Sequence, residues 1–140
     1  MVGVLVDLAE RGSPVAVRSA AGRAVRGRVA AVGADFVVVR EERLGDLIVP
    51  LRSLATVRSA PGEPPVVGDR PASLVIALAE VLVELAADRP LVVISAGGEE
   101  VRGELRSAGI DVVAVNIAST RHDVVHIAVE SIDHVVLLDR

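Results

Sequence analysis

Four arginines near the start of the chain are the residues whose types and spacing best suit chemistry. Within GRAVRGRV, residues 22–29, Arg26 and Arg28 are two positions apart and therefore share one face of a predicted strand. Arg18 lies on the preceding predicted strand, and Arg23 lies in the turn between the two strands. A cluster of this kind can neutralise several phosphates of a nucleic acid. The alternative is a solvated face, or ion pairs with acidic residues of another subunit.

The histidines and serines give little support for a metal or a catalytic site. His122, His126 and His134 are the only histidines, and a metal would need a further ligand such as Asp123. The chain has no cysteine and no helical H-x-x-x-H pattern, and its serines lack the G-x-S-x-G pattern of a nucleophile elbow. It also lacks the glycine-rich patterns that bind phosphate. We therefore predict a non-enzymatic protein with no metal and no cofactor.

Composition and charge narrow the function classes further. The chain has 140 residues, 51% of them hydrophobic, and a single aromatic residue, Phe36, which we expect in the core. The first 60 residues carry a net charge of +3 and the other 80 carry −7, so any contact with nucleic acid is expected in the first half. The apolar stretch 73–87 is interrupted by Glu80 and Glu84, which argues against a membrane span. The start of the chain lacks the basic lead of a signal peptide, and we expect a cytoplasmic protein.

The chain contains an internal duplication. Residues 14–40 align without a gap with residues 90–116, and twelve aligned positions are identical. The predicted organisation is a first copy over residues 1–58, a Pro/Gly-rich linker over 59–71 and a second copy over 72–140. These segments are called copy one and copy two below. The longer apolar pattern at the start of copy two predicts a longer N-terminal helix there.

Each copy begins with a helical pattern and continues with alternating apolar residues that predict short strands. Gly27 lies within a predicted strand and indicates a sharp bend or a bulge. The FVVV run at 36–39 is apolar on both faces, so its strand is expected to be central or buried at a contact. Asp35 and Asp111 precede the equivalent strands of the two copies. We expect each carboxylate to bind turn amides, with the orientation of a nucleotide base as the alternative.

Opposite charges occupy aligned positions of the two copies. Copy two has Glu99, Glu100 and Glu104 where copy one has Arg23, Ala24 and Arg28. This exchange predicts heterologous pairing of copy one with copy two.

The order of these features resembles the Sm-like fold of Sm, LSm and Hfq proteins. In copy one the carrying pattern is a helix, then VxV, then RG and G-x-D-[FV]-V, then VP followed by SL and V. Copy two repeats the order of these parts and keeps the RG and G-x-D-[FV]-V motifs. The same elements also fit other small SH3-like barrels such as Tudor and KOW domains. The predicted fold class is α+β: two tandem Sm-like small barrels, each a short N-terminal helix followed by five strongly bent antiparallel strands. This tandem arrangement resembles uncharacterised actinobacterial two-barrel proteins.

The resemblance implies rings of barrels that bind single-stranded RNA, but the pocket motifs of that family are missing. Val37 and Val113 stand near the position of the family's base-binding Asn, and no Arg-Gly pair follows the fourth predicted strand of either copy. Two functions therefore remain open. The first is RNA binding through Arg18, Arg23, Arg26 and Arg28. The second is a protein-interaction or assembly scaffold that has lost RNA binding. In both cases we expect a homo-oligomer, either a trimer with six barrels or a dimer, with a closed two-barrel monomer as the alternative.

Overall fold

A computed structural model describes residues 2–138 except positions 11, 13, 42, 44, 60–71, 74 and 118–122. Copy one contains α1 (Val2–Glu10), β1 (Pro14–Ser19), β2 (Ala24–Val32), β3 (Phe36–Glu41), β4 (Gly45–Pro50), a 3-10 turn (Leu51–Ser53) and β5 (Leu54–Ser59). Copy two contains β6 (Ala72–Ser73), α2 (Leu78–Ala86), β7 (Leu91–Ala96), β8 (Glu99–Ala108), β9 (Val112–Ile117), β10 (Val124–Ala128), a 3-10 turn (Val129–Ser131) and β11 (Ile132–Leu137). The predicted linker lies outside the described residues, except that Ser59 belongs to β5.

The strands form one open antiparallel sheet. Ten strands run in the order β10-β9-β8-β7-β11-β4-β3-β2-β1-β5, and β6 adds a short parallel pair to β2. The prediction of two separate Sm-like barrels is therefore wrong. The reason is that β4 of copy one pairs with β11 of copy two, where Val135 lies opposite Ile48. Edge strands expose unpaired backbone groups, and these two edges satisfy each other across the copies.

Two hydrophobic cores lie on opposite faces of the middle of this sheet. Core one contains Val37 and Val39 of β3, whereas core two contains Phe36 of the same strand. On β11, Val136 belongs to core one and Val135 to core two. Successive side chains of a strand point to opposite faces, so these strands are covered on both sides. The prediction of a central FVVV strand is confirmed, and Phe36 is fully buried as expected.

The two helices have the same length, nine residues each, so the prediction of a longer helix in copy two is wrong. Ala72–Ser73 instead form β6 beside β2, and the backbone of Ala77 is extended. The helix can therefore begin only at Leu78. Each helix buries a leucine in the core of its own copy, Leu5 in core one and Leu82 in core two.

The duplication is visible in the backbone of β2 and β8. A Cβ atom added at Gly27 would overlap the carbonyl oxygen of Arg40, and one added at Gly103 would overlap that of Asn116. Only glycine tolerates such a close approach of the neighbouring strand. The register of both strands shifts two to four residues beyond the glycine, which confirms the predicted irregularity.

The predicted ungapped alignment of the two copies does not hold in their first strands, where equivalent residues are offset by one further position. Val15 lies opposite Gly27, but Val92, not Leu91, lies opposite Gly103. The spacing between equivalent residues is thus 77 in β1, 76 in β2 and β3, and 78 in β5. The turn between the first two strands is one residue shorter in copy two, which accounts for the change.

Candidate functional site

Three of the four predicted site arginines lie on one face of β1 and β2. Arg26 lies opposite Ala16, Arg28 opposite Pro14, and Arg18 opposite Ala24. Directly opposed side chains share a face, as do alternate residues of one strand. Arg18 and Arg26 are exposed, whereas Arg28 is partly buried and donates a hydrogen bond to the carbonyl oxygen of Gly12.

Two further arginines extend this face across the sheet. Arg58 on β5 lies opposite Ala16, and Arg40 on β3 lies opposite Arg28. The Nε atom of Arg40 donates to Oδ1 of Asp46 at 3.1 Å. The set of five, Arg18, Arg26, Arg28, Arg40 and Arg58, is called the arginine face below. Sequence reasoning missed Arg40 and Arg58 because their place depends on the pairing of β3 and β5 with distant strands.

Arg23 does not join the arginine face. Its guanidinium lies 3.7 Å from the carboxylate of Glu100 in copy two, and its Nε atom is buried. This ion pair is an instance of the predicted charge pairing between the copies. Its geometry makes Arg23 a residue of the junction, and its side chain lies away from the face that holds the other three arginines.

Copy two has no equivalent of the arginine face. The repeat spacing places Ser95, Arg102, Glu104, Asn116 and Val136 where copy one has the five arginines. Only Arg102 keeps the charge. Val136 is buried in core one, so part of this face of copy two packs against copy one. Within the described residues, the basic surface is therefore a property of copy one alone.

The two ends of the sheet are the second notable feature. By the repeat spacing, β10 is equivalent to β4 and β5 is equivalent to β11, the two strands that join the copies. Phe36 and Ile48 of copy one are covered by copy two, whereas the equivalent Val112 and His126 are exposed. Within the described residues, β10 pairs only with β9 and β5 only with β1. Each end of the sheet thus presents a strand, β10 or β5, whose repeat equivalent forms the pairing between the two copies.

Asp35 acts on a helix of the other copy. Its Oδ1 atom accepts a hydrogen bond from the backbone N–H of Leu78, the first residue of α2, at 2.7 Å. Ala34 N–H donates to the carbonyl oxygen of Ile76 at 3.0 Å just before the same helix. Because the side chain of Ala77 cannot cap α2, Asp35 supplies this acceptor. The carboxylate therefore binds a backbone amide of a helix that lies 43 residues further along the chain, whereas the sequence predicted a bond to amides of its own turn.

The described histidines differ in their exposure to solvent. His126 is exposed on β10, His134 is buried on β11, and His122 lies outside the described residues. In the described ranges no three His, Asp or Glu side chains come together in a group that could hold a metal ion. Both ring nitrogens of His134 lack a hydrogen-bond partner there. Burial lowers the pKa of His134, and the nearby positive charge of Arg23 lowers it further.

The chain matches no protein-family model and no curated protein. The resemblance to Sm-like proteins therefore rests on the sequence pattern alone. Neither helix of the described ranges has the length and apolar character needed to cross a membrane.

Proposed function

We propose that this chain is a non-enzymatic assembly module that associates head to tail with further copies of itself through β10 and β5. One observation carries the proposal: β4 and β11, the repeat equivalents of these two edges, already pair inside the chain. A second molecule can repeat that pairing by placing its β5 against β10 of the first. The two edges differ, so the contact is heterologous. Such contacts close into a ring when the rotation from one subunit to the next adds up to a full turn.

The internal pair sets the expected register of the contact between chains. Val135 lies opposite Ile48, and Leu137 lies opposite Asp46. With the repeat spacing of 78 for these strands, Val57 of one chain would lie opposite His126 of the next, and Ser59 opposite Val124. All four of these residues are exposed or partly exposed, so the edges are accessible.

Charge at the two ends supports the same partner. The β5 end exposes Arg18 and Arg58, whereas the β10 end exposes Asp123 and Glu130 on its adjoining segments. Opposite charge on the two sides of an interface favours encounter and fixes which surfaces meet. The net charges of the two halves of the chain agree with this arrangement: the half that contains β5 carries +3, and the half that contains β10 carries −7.

The mass in solution tests the proposal. Light scattering behind a sizing column should give a multiple of 14.5 kDa, three chains for a ring of six copies or two chains for a ring of four. A mass of 14.5 kDa at every concentration up to the millimolar range would refute assembly.

Charge substitutions at the proposed register show whether the edges are responsible. Ser59→Arg with Val124→Arg places like charges directly opposite, which costs up to about 1 kcal/mol per contact and weakens association up to about fivefold. Ser59→Arg with Val124→Glu should restore the wild-type association. Equal masses for both double variants at every dilution would exclude this contact.

The arginine face favours a second candidate function, the binding of single-stranded RNA by copy one. Its five arginines span four adjacent strands, and a basic surface of this kind can follow a phosphate backbone. Base stacking is not available to it from Phe36, the only aromatic residue, because that side chain is buried. Recognition would therefore rest on phosphate contacts.

Binding of a fluorescent single-stranded RNA at two salt concentrations tests this candidate. The affinity should fall steeply with salt, with a slope of about −0.7 per phosphate contact. Arg26→Glu with Arg28→Glu should abolish binding. Arg102→Glu, at the position in copy two that corresponds to Arg26, is the matched control and should leave binding unchanged. Equal losses in the two variants, or none, would exclude the arginine face as the site.

A further inference from the structure

A small cavity lies where copy two enters core one. It is lined by apolar side chains of β1, β2, β4 and β5, by Ser19 and Arg23 of copy one and by His134 of copy two. Among the residues that the structure describes, His134 is thus the one lining residue from copy two, and only 3% of its surface is exposed. Its strand, β11, is the strand that pairs with β4. The imidazole therefore lies at the joint between the copies.

Polar atoms without partners meet in this cavity. Both ring nitrogens of His134 and the Nε atom of Arg23 are buried and make no hydrogen bond within the described residues. Ser19 Oγ accepts a hydrogen bond from the backbone N–H of Arg23 at 3.1 Å, which leaves its hydroxyl hydrogen available. Buried polar groups are costly unless paired, and a buried charge is costlier still.

The surroundings of the His134 imidazole disfavour its protonated, positively charged form. Arg23, which is positive, lines the same cavity, and its own charge is already paired with Glu100 at 3.7 Å. Glu100 on β8 and Asp133 on β11 act in the opposite direction, but burial is the largest influence on the pKa of His134 and lowers it. The lining residues from β1, β2, β4 and β5 are uncharged. An imidazolium here would face a guanidinium with no carboxylate in the cavity.

We propose that His134 makes the joint between the two copies proton-responsive: the joint is intact with a neutral imidazole, and uptake of one proton by His134 loosens the attachment of β11 to core one. The position equivalent to His134 in copy one is Thr56, which cannot titrate. Protonation of His134 is therefore expected to weaken the joint inside the chain, and the proposed contact between chains has no equivalent titrating group. It stands whether or not the chain assembles.

The direction of the pH dependence follows from the lowered pKa of the folded state. The stability that depends on a neutral imidazole is fully present above the unfolded-state pKa of 6.5. It is lost as the pH falls from that value through the lower pKa of the folded protein. At full slope the unfolding equilibrium constant rises about tenfold per pH unit for one proton taken up on unfolding.

Urea unfolding of the whole chain between pH 7.5 and 5.5 tests the proposal. The wild-type midpoint should fall over this range, and in His134→Val most of that fall should disappear because no group titrates in the cavity. His126→Gln removes an exposed histidine and should keep the wild-type pH dependence. An unchanged pH dependence in His134→Val, or its loss in His126→Gln, would overturn the proposal. His134→Thr, which introduces the residue of the equivalent position in copy one, serves where the valine variant does not fold.

An NMR titration of the imidazole signals provides a measurement that needs no destabilising variant. The ring of His134 should remain mostly neutral at pH 6.5, the pKa of an unperturbed imidazole. The β4 and β11 amides should exchange faster with solvent once His134 is protonated. Half protonation of the His134 ring at or above pH 6.5 would overturn the proposal. So would protection of the β4 and β11 amides that is the same before and after protonation of His134.

Discussion

Replacing Asp35 by alanine tests whether copy one holds the start of α2. The carboxylate accepts the Leu78 N–H at 2.7 Å, and α2 has no capping side chain of its own at Ala77. Loss of an N-terminal cap costs about 0.5–2 kcal/mol. Hydrogen bonds to a charged group lie near the upper part of this range, so we expect Asp35→Ala to lower the unfolding free energy by about 1–2 kcal/mol.

Two further variants make this prediction specific. Asp35→Asn keeps an oxygen acceptor and should cost no more than about 0.5 kcal/mol, since Asn and Asp are equally good caps. Asp111→Ala changes the equivalent, exposed turn of copy two and should stay within about 0.5 kcal/mol of wild type. Urea unfolding followed by far-ultraviolet circular dichroism, at one protein concentration for all variants, measures these differences. Equal losses in Asp35→Ala and Asp111→Ala would refute the role of Asp35 as a cap between the copies.

Three other experiments examine the backbone, the core and the joint. Gly27→Ala and Gly103→Ala should each destabilise by more than about 3 kcal/mol in urea unfolding, because the added Cβ would overlap a carbonyl oxygen of the adjacent strand; near-neutral effects would contradict the close approach. Phe36→Ala should cost about 3–5 kcal/mol in the same assay, since this fully buried ring packs in core two; a loss under 1 kcal/mol would place the ring elsewhere. A double-mutant cycle on Arg23 and Glu100 should give a coupling below about 1 kcal/mol, because both side chains are partly exposed; a larger value would mean a tighter ion pair than the 3.7 Å contact.

The elements of each copy could be predicted from the sequence, whereas the joint between the copies could not. Period-two patterns and Gly27 indicate the strands and their irregularity because these are local properties of the chain. The pairing of Ile48 with Val135 joins residues 87 positions apart, and no local pattern encodes it. A signal was nevertheless present, since residues 47–49 are apolar on both faces, like the FVVV run. Two such strands in succession are typical of a sheet that is covered on both sides.

The candidate site was predicted in part for the same reason. Arg26 and Arg28 share a face because they are two residues apart in one strand, and this relation is visible in the sequence. Arg40 and Arg58 reach the same face only through the register of neighbouring strands. Arg23 lies in a turn, where spacing does not determine direction, and it points to the other copy. The buried state of His134 also follows from the joint and has no local signature.

The joint between β4 and β11 has a consequence for the individuality of the two copies. Phe36 and Ile48 come from copy one but lie in core two, and Val136 comes from copy two but lies in core one. Neither copy therefore supplies all the residues of its own hydrophobic core. Cleavage of the chain at its linker would leave each fragment with an exposed apolar face. Because both strands belong to one chain, the pairing of β4 with β11 does not depend on the protein concentration, unlike a contact between separate molecules.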